Sequence, residues 1–398
     1  MALENISKSL LEIKKLIISY KTEINPTEEQ KILINKTIGT CRFVYNFFIS
    51  HNKEIYEKEK RFVTGYDFSK WLNNYFLPNN KEYSWIKDVS SKSVKKAIMN
   101  SETAFKRFFK KQAKFPRFKK KKDKQSMYFV RNKTDCLCER HRIKIPTLGW
   151  VRLKEKGYIP INKDIKSGVV TKEADKYYVS VLIETDIQSV NCNYTNGIGI
   201  DLGLKSFAVL SDGRKFKNIN KSSKVKKLKK KLIREQRRFS RKWENQKRKN
   251  KKEEATRKNL QKQLVKLQRV YKRLNSIRTD YVNKCVNEVV KTKPQFITLE
   301  DLNIKGMVKN RHLAKSISEM NFYTFKQKLV DKSKLFGIEI RIADRFFPSS
   351  KMCNHCGAIN TNLKLGDRIY ICDCGYTNDR DLNAAYNLRD LKVYTILT

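Results

Sequence analysis

The chain has 398 residues, which is too many for one compact core, so we expect about two to four domains. Apolar residues make up 39% of the chain, which excludes wholesale disorder. Lysine and arginine number 88 against 40 aspartates and glutamates, and the net charge of +48 favours a nucleic-acid partner over a ribosomal-type or merely solubilising surface.

A membrane partner is not expected, because no apolar run approaches the roughly 20 residues that a spanning helix needs. The N-terminal segment SLLEIKKLIISYKTEI is interrupted by Lys14 and Lys15, so it does not resemble a signal peptide. We therefore expect a protein that is intracellular and not secreted, in the cytoplasm of a prokaryote, or in the nucleus or a viral factory if the host is eukaryotic or viral. The nine cysteines are then expected to be reduced or metal-bound.

The first half of the chain predicts helices inserted into a set of strands. Residues 13–24 predict a strand, and Thr27 with Gln30 forms a capping box that begins a helix. Apolar residues at helical spacing continue, so we predict a helical region over 27–112. From 126 to 186, short alternating runs between turn residues predict an antiparallel β-barrel or meander, which the strand at 13–24 joins.

The second half follows a predicted linker at 187–196. The segment GIGIDLGLKSFAVLSDG (197–213) and the following KFKNI predict a strand, a turn and a strand, with Leu204 among the strand's buried positions. Further elements are predicted in chain order: a long helical stretch over 221–290, a strand at 295–299, a strand within 336–350 and a short helix over 381–391. The first half of the helical stretch is intensely basic. It is either a solvated helical hairpin or a surface that follows phosphates, and the net charge favours the second.

Three acidic residues lie where predicted strands end or a helix begins. Asp201 interrupts an apolar strand, Glu300 ends a later strand, and Asp381 opens the last helix. Taken singly, Asp201 could serve in a turn or cap, Glu300 with Asp301 could form a solvated turn, and Asp381 could stabilise the helix dipole. Together they could converge, and three close carboxylates need a cation to stay ionised. Two Mg²⁺ ions would satisfy this need and would support phosphodiester hydrolysis.

The last helix has features that would bring Asp381 close to the strands. Ala384 and Ala385 follow Asp381 by one turn, and small residues there allow a helix to lie close to a sheet. Asn378 or Asp379 can cap this helix.

Four cysteines near the C-terminus have the spacing of a structural zinc site. Cys353 and Cys356 form one pair, Cys372 and Cys374 form the second, and 15 residues lie between the pairs. Gly357 and Gly375 follow the second cysteine of each pair, where a turn needs a residue without Cβ. Four thiolates around one Zn²⁺ make a closed site. The second pair is one residue shorter than usual, but both thiolates can still reach.

Other metal ligands are weaker candidates. His355 could compete with the four cysteines, and Cys136, Cys138 and His141 could form another metal set, although alternate positions on a strand explain them better. The remaining cysteines are predicted to be structural: Cys41, Cys192 and Cys285. The ribbon ends seven residues before Asp381, so its metal should fix the helix that bears this carboxylate.

The sequence resembles the transposon-encoded TnpB family, which is related to the compact type V CRISPR effectors and to the Fanzor proteins. The resemblance covers nearly the whole chain. It is carried by GIDLG, LEDLNI, FPSSKMCNHCG, YICDCG and DRDLNAAYNL, and in the first half by INPTEEQKILINKTIGTCRFVYN and PRFKKKK.

The resemblance implies a multidomain α+β protein. It implies an α/β nuclease core of RNase H-like (RuvC) fold with an inserted zinc ribbon, and a wedge β-barrel interrupted by a helical recognition domain. The expected boundaries are 1–26 and 113–190 for the wedge, 27–112 for the recognition domain, 196–346 and 379–398 for the nuclease, and 347–378 for the ribbon. The family's catalytic residues fall on Asp201, Glu300 and Asp381.

The resemblance also implies an RNA-guided DNA endonuclease that acts as a monomer with a guide RNA on double-stranded DNA beside a short motif. One alternative is a non-cutting RNA-guided regulator, which the loss of any of the three carboxylates would favour; none is lost. Another is a transposase or accessory transposition protein, but transposases typically present Asp, Asp and then Glu. A junction resolvase would not need the long N-terminal half.

Overall fold

The computed structural model describes residues 13–123, 125–131, 136–161, 163–188, 196–250, 257–364 and 366–397. They form two compact units, one within Lys15–Asp186 and the other within Ile187–Thr398. Throughout those ranges, every helix is too short or too polar to cross a lipid bilayer. Most of the predicted linker, with Cys192, and the residues before Ile13 lie outside the described part of the chain.

The first unit contains a six-stranded sheet. Its strands are β1 (Ile13–Asn25), β2 (Gln125–Val130), β3 (Arg142–Ile145), β4 (Gly149–Leu153), β5 (Ile165–Glu173) and β6 (Lys176–Gln188). The order is β2-β5-β6-β1-β4-β3, and the pairs β2–β5, β5–β6, β3–β4 and β1–β4 are antiparallel. The prediction that the first strand joins the later strands is confirmed. Closure of this sheet into a barrel stays a prediction.

The helices of the first unit lie in the chain between β1 and β2. They are α1 (Glu28–Glu59), α2 (Gly65–Trp71), a π-helix (Leu72–Phe76), α3 (Leu77–Asn79), a 3₁₀ helix (Lys81–Asp88) and α4 (Ser91–Phe109). The predicted capping box is present, because Thr27 Oγ1 accepts from the Gln30 N–H at 3.3 Å and Gln30 Oε1 accepts from the Thr27 N–H at 3.0 Å. The helices pack around an aromatic core that includes Phe48 and Phe68.

The second unit contains a mixed sheet. Its strands are β7 (Ile198–Leu202), β8 (Ser206–Leu210), β9 (Lys215–Lys217), β10 (Phe296–Glu300), β11 (Glu339–Ala343) and β14 (Tyr394–Ile396), in the order β14-β11-β10-β7-β8-β9. The three central strands β7, β10 and β11 are parallel, and the other pairs are antiparallel. The segment 197–213 holds two strands, so placing Leu204 in the first strand was wrong. The chain turns after Leu202, and Leu204 lies in that turn.

Six α-helices, a 3₁₀ helix (Ile219–Lys221) and a small hairpin complete the described part of the second unit. The helices are α5 (Ser223–Asn250), α6 (Lys258–Lys291), α7 (Ile304–Met307), α8 (Arg311–Met320), α9 (Phe322–Phe336) and α10 (Arg380–Arg389). The hairpin pairs β12 (Ile369–Ile371) with β13 (Thr377–Asp379). Of the elements of the second unit, the 3₁₀ helix, α7, α8, α9, β12, β13 and β14 were not predicted. The long helical stretch, the strands at 295–299 and within 336–350, and the final helix are confirmed.

The central sheet has helices on both faces. Ile198 and Ile200 of β7 belong to a core with Val286 of α6 and Phe325 of α9. Because side chains alternate along a strand, Gly199 and Asp201 point to the other face. That face carries α10, since a Cβ built on Gly199 would lie 2.0 Å from the Ala385 carbonyl oxygen.

Candidate functional site

Asp201 and Glu300 lie side by side on the α10 face of the sheet. β7 and β10 are parallel and place Ile200 opposite Leu299, and both of these residues point into the core on the other face. The next residue of each strand, Asp201 and Glu300, therefore points toward α10. Both carboxylates are partly buried at the carboxyl ends of their strands.

Asp381 reaches the same region from the first turn of α10. Asp379 caps this helix, because its Oδ1 accepts from the N–H groups of Asp381 at 3.0 Å and Leu382 at 3.2 Å. The prediction of a cap at Asn378 or Asp379 is thus confirmed, with Asp379 as the cap. Ala384 and Ala385 are buried, as expected for a helix that lies close to a sheet. Gly199 lies beneath Ala385, where only a residue without a side chain fits. The sequence analysis missed this role of Gly199.

The three acids interact electrostatically. Burial raises the pKa of Asp201 well above its usual value, and the charges of Glu300 and Asp381 raise it further, while Arg380 lowers it. Burial also raises the pKa of Glu300, against a hydrogen bond from Ser349 that lowers it. A cluster of acids that repel one another in this way suits a divalent cation, because the cation would stabilise all the charges together.

The structure distinguishes Glu300 from its neighbour Asp301. Hydrogen bonding by Arg345, with help from Lys326 at 3.6 Å, lowers the pKa of Asp301 despite some burial. Asp301 is therefore already neutralised by protein cations. Glu300 instead accepts a hydrogen bond from the neutral hydroxyl of Ser349, which orients the carboxylate without cancelling its charge.

Two asparagines join α10 to the segment before the cysteines. Asn383 and Asn387 lie one turn apart on α10 and are 0% and 1% exposed. Asn383 Nδ2 donates to the Met352 carbonyl at 2.7 Å, and its Oδ1 accepts from the Asn354 N–H at 3.2 Å, so it holds the backbone on both sides of Cys353. Sequence reasoning missed both asparagines, although two amides at a spacing of four in a helix that also carries buried alanines were a usable signal.

Asn387 continues this connection toward Glu300. Its Nδ2 donates to the carbonyls of Met352 at 2.7 Å and Ser349 at 2.8 Å. Because the Ser349 hydroxyl in turn donates to Glu300, one segment of chain links the helix of Asp381 to the Glu300 carboxylate.

The structure brings the four predicted cysteines together. Sγ of Cys353 lies 3.8 Å from Sγ of Cys374, and Sγ of Cys356 lies 3.6 Å from Sγ of Cys372. Four sulfurs at about 2.3 Å from a tetrahedral zinc would lie about 3.8 Å apart, so these distances fit the ion. Gly357 and Gly375 have φ of 77° and 86°, the left-handed conformation that was expected after each pair.

One of the four thiols already favours ionisation, whereas the pKa of Cys372 and of Cys374 is raised, against backbone hydrogen bonds that lower it, by burial and the neighbouring thiols. Burial opposes ionisation of Cys353, but backbone N–H groups of Cys356 and His355 bring its pKa down to about 7. Histidine, cysteine, aspartate and glutamate can all bind metals. Among the described residues, the four cysteines are the one group of three or more of these side chains that could hold a metal ion, with ligand atoms all within 4.8 Å of one another. Asp201, Glu300 and Asp381 are not such a group.

The other candidate ligands do not join a metal cluster within the described residues. His355 Nδ1 lies 3.9 Å from Cys374 Sγ, and its ring stacks on Tyr376. Cys138 forms an isolated β-bridge to Ile143 outside the named strands, and Cys136 is buried in the core of the first unit. Cys41 and Cys285 have thiols whose pKa burial raises, to about 12 and about 11.

The basic hairpin of α5 and α6 has a small apolar seam. Val225 of α5 packs against Val270 and Leu274 of α6, and Glu235 accepts from Gln263 Nε2 at 2.6 Å. Most lysines and arginines of α5 are left exposed. Whether this face follows phosphates stays a prediction.

Three segments of the chain match known protein families. Residues 322–388 match the "Cas12f1-like, TNB domain" family, residues 179–311 match a family described as "Probable transposase", and residues 16–61 match a "Helix-turn-helix domain". A solved structure, "Cryo-EM structure of the Cas12f1-sgRNA-target DNA complex", has a similar fold with a TM-score of 0.59 at 13% identity, over 94% of this chain and 99% of that one.

Two curated relatives extend along most of the chain. "Putative RNA-guided DNA endonuclease" from Streptomyces pristinaespiralis is 30% identical over 93% of this chain and 88% of its own. "Putative RNA-guided DNA endonuclease InsQ" from Escherichia coli K12 is 29% identical over 94% of this chain and 92% of its own. With these relatives and the transposase match over its middle, the chain belongs to the TnpB family.

Proposed function

We propose that this chain is an RNA-guided DNA endonuclease of a transposable element, and that it hydrolyses phosphodiester bonds at Asp201, Glu300 and Asp381. The observation that carries the proposal is the placement of Asp201 and Glu300 on one face of adjacent parallel strands, beneath the helix of Asp381. The relatives that span the chain are named as RNA-guided DNA endonucleases, which supports the same activity.

The chemistry of the three acids fits two Mg²⁺ ions, which prefer a few carboxylates together with water and phosphate oxygens. When bound, such a pair activates the attacking water and stabilises the leaving oxygen. Ser349 would keep Glu300 aimed at the site, and the cap at Asp379 would hold Asp381 in the first helical turn.

The four cysteines would hold one structural Zn²⁺. The site would be closed, with no position for water, so its contribution is to order the ribbon. The ribbon leads through β13 directly into α10, and Asn383 holds the backbone around Cys353. Zinc binding would therefore help to fix the helix that carries Asp381.

The partners would be a guide RNA and double-stranded DNA with a short adjacent motif, bound by one protein chain. The net charge of +48 suits a protein that holds a structured RNA and an RNA–DNA duplex. The finer architecture is part of the proposal: a wedge barrel over 1–26 and 113–190, a recognition domain over 27–112, a RuvC-like nuclease over 196–346 and 379–398, and a ribbon over 347–378.

The decisive experiment is purification of the protein from its native locus, followed by sequencing of the RNA that copurifies. The recovered RNA then guides a test of Mg²⁺-dependent cutting of a plasmid with a matching sequence, with Asp201→Ala as the control. We expect a discrete RNA, guided cutting by the wild type and none by the variant. Absence of RNA together with unguided cutting would overturn the proposal, and guided binding without cutting would favour a regulator.

A further inference from the structure

One side chain beside the carboxylates has an unusual exposure. Phe346 is 87% exposed, which is the highest value among the large hydrophobic side chains in the described residues. Exposed apolar residues are common on protein surfaces, so exposure alone carries no function. Phe346 is of interest because the loop that carries it is bonded to the strand end that carries Glu300.

Phe346 lies on a loop that is fastened twice to the end of β10. The loop leaves β11 at Ala343, which pairs with Glu300. Arg345, just before Phe346, donates to Asp301, and Ser349, three residues after it, donates to Glu300. The exposed ring is therefore held between two anchors to the same strand end that carries the proposed catalytic glutamate.

The loop is also ordered from within. The Phe346 N–H donates to Asp344 Oδ1 at 2.8 Å, and the Phe347 N–H donates to the Asp344 carbonyl at 3.1 Å. The Ser349 N–H closes a further turn on the Phe347 carbonyl at 2.9 Å. Phe347 is partly buried, whereas Phe346 extends into solvent. A turn with these bonds presents the Phe346 ring in a fixed place, as a preorganised binding surface would.

The surroundings can accept a nucleotide. Phe346 borders a hollow of about 700 Å³ that is also lined by Lys392, the exposed Val393 and two acids, Asp344 and Asp390. Both acids already have partners, since Asp390 accepts from Arg389 and Asp344 accepts from the Phe346 N–H. Lys392 offers a positive charge to a phosphate, and the apolar side chains offer surface to a base. Single-stranded nucleic acid is bound by this combination of cations with aromatic rings, because every base has a face that can stack.

We propose that Phe346 stacks on an unpaired base of the DNA strand whose phosphate lies at the three carboxylates. This inference rests on the proposed nuclease function. Pairing of a guide with one DNA strand displaces the other strand from the duplex, and an unpaired base next to the reacting phosphate loses its stacking partner. Phe346 would replace that partner without reading the sequence, which suits an enzyme whose sequence specificity comes from a guide.

The test is a scan with abasic sites in the target DNA, using the complex of the full chain with its copurified RNA. One abasic site at a time is placed along the strand around the cut, and both binding and cutting are measured. For the wild type we expect one position at which the abasic site lowers kcat/KM and weakens binding by about 10-fold. On intact DNA, Phe346→Ala should lower kcat/KM and affinity by the same factor. An abasic site at the sensitive position should then cause no further loss in this variant.

Three further variants separate stacking from other roles. Phe346→Tyr keeps the ring and should behave as the wild type. Phe346→Leu keeps an apolar surface without a ring and should behave as Phe346→Ala. Tyr323→Ala removes another exposed aromatic, 65% exposed on α9, and should leave the scan unchanged.

The inference would be overturned if the abasic site lowered kcat/KM as much in Phe346→Ala as in the wild type. It would also be overturned if Phe346→Ala bound the guide RNA more weakly and gave the same abasic-site scan as the wild type. The proposed function is judged separately, by cutting. A wild-type complex that binds DNA but never cuts would contradict the nuclease proposal, and the binding scan would still decide whether Phe346 stacks on a base.

Discussion

Asp201 occupies a strand position where side chains alternate between two helix layers. Ile198 and Ile200 enter the core beneath α6 and α9, while Gly199 and Asp201 face α10. This alternation explains how an acid can interrupt an apolar strand without disturbing the core. It also places Asp201 where burial and the charges of two neighbouring acids raise its pKa. The ionised form of Asp201 therefore destabilises the folded protein.

Replacing Asp201 by asparagine should stabilise the metal-free protein and abolish cutting. The pKa of this carboxyl is raised on folding, so its ionised form destabilises the folded state once the pH exceeds the unfolded pKa. We expect Asp201→Asn to raise the melting temperature by a few degrees at pH 8 and to make no difference at pH values below the unfolded pKa. Mg²⁺ should raise the melting temperature of the wild type and much less that of the variant.

The same shift predicts how cutting depends on pH. Because protonated carboxyls do not bind Mg²⁺, the rate at limiting Mg²⁺ should fall on acidification at a higher pH than ordinary carboxyls would give. A wild-type melting temperature that is insensitive to Mg²⁺, together with destabilisation by Asp201→Asn, would contradict this account of the residue.

Gly199→Ala should displace α10. The added Cβ would lie 2.0 Å from the Ala385 carbonyl oxygen and 2.4 Å from the Arg389 nitrogen, and backbone atoms cannot move aside cheaply. We expect a loss of about 1–3 kcal/mol in the free energy of unfolding, measured by urea denaturation, and a clear loss of cutting. Gly39→Ala is the matched control, because nothing lies within 4 Å of its added Cβ on α1 and alanine favours a helix. Equal stability of the two variants would argue against close packing of α10 on β7.

At the scale of elements, α10 is held by the segment that precedes the first cysteine pair. Asn383 and Asn387 accept or donate four hydrogen bonds to the backbone of this segment, and Ser349 passes the connection on to Glu300. Hydrogen bonds therefore connect the helix of Asp381, the loop that contacts Glu300 and the first cysteine pair, and zinc at the four cysteines would act on the carboxylates through this connection without a chemical role.

Asn383→Leu should weaken the attachment of α10 and so displace the Asp381 carboxylate. The change leaves the Met352 carbonyl and the Asn354 N–H without their partner, at a cost of about 1–3 kcal/mol for each buried group. We expect cutting to fall about 10- to 100-fold and the Mg²⁺ concentration for half-maximal rate to rise, with zinc still near one per chain by metal analysis.

Asn52→Leu is the matched control for this change. Asn52 is 2% exposed in α1 and binds the Phe48 carbonyl at 3.2 Å and the Val63 N–H at 2.8 Å, in the other compact unit. It should cost similar stability and leave the Mg²⁺ dependence unchanged. An equal rise in Mg²⁺ requirement for both variants would indicate general destabilisation instead of a positioning role for Asn383.

The elements show what the sequence could predict. The cysteine spacing and the capping box depend on local geometry, so Gly357, Gly375 and Thr27 were found by pattern alone. The choice between Glu300 and Asp301 depends on Arg345, which is 44 residues from Asp301, and no local pattern reveals it. The spacing of Asn383 and Asn387 could have indicated a polar role, but not the partners of Asn383, which are backbone groups 31 and 29 residues earlier. Strand β14 is defined by its pairing with β11, and α9 by the packing of Phe325 and Leu329 into the core, and both depend on contacts distant in sequence.

At the scale of the whole molecule, the charge of +48 should dominate affinity for nucleic acid. Each phosphate contact on duplex DNA adds about 0.9 to the slope of log affinity against log salt concentration. Replacing the exposed Arg234, Arg237 and Arg241 of α5 by glutamine should lower that slope by about two to three and weaken binding alike for all sequences. Filter binding at several salt concentrations measures this, and an unchanged slope would favour a solvated hairpin.

The measurement that tests the central claim most directly is a diffraction experiment with Mn²⁺ in place of Mg²⁺. Crystals of the protein with its RNA and DNA target would be analysed for anomalous density. We predict two peaks within about 2.3 Å of carboxylate oxygens of Asp201, Glu300 and Asp381. Peaks elsewhere, or none at these residues in a complex that still cuts its DNA, would contradict the account.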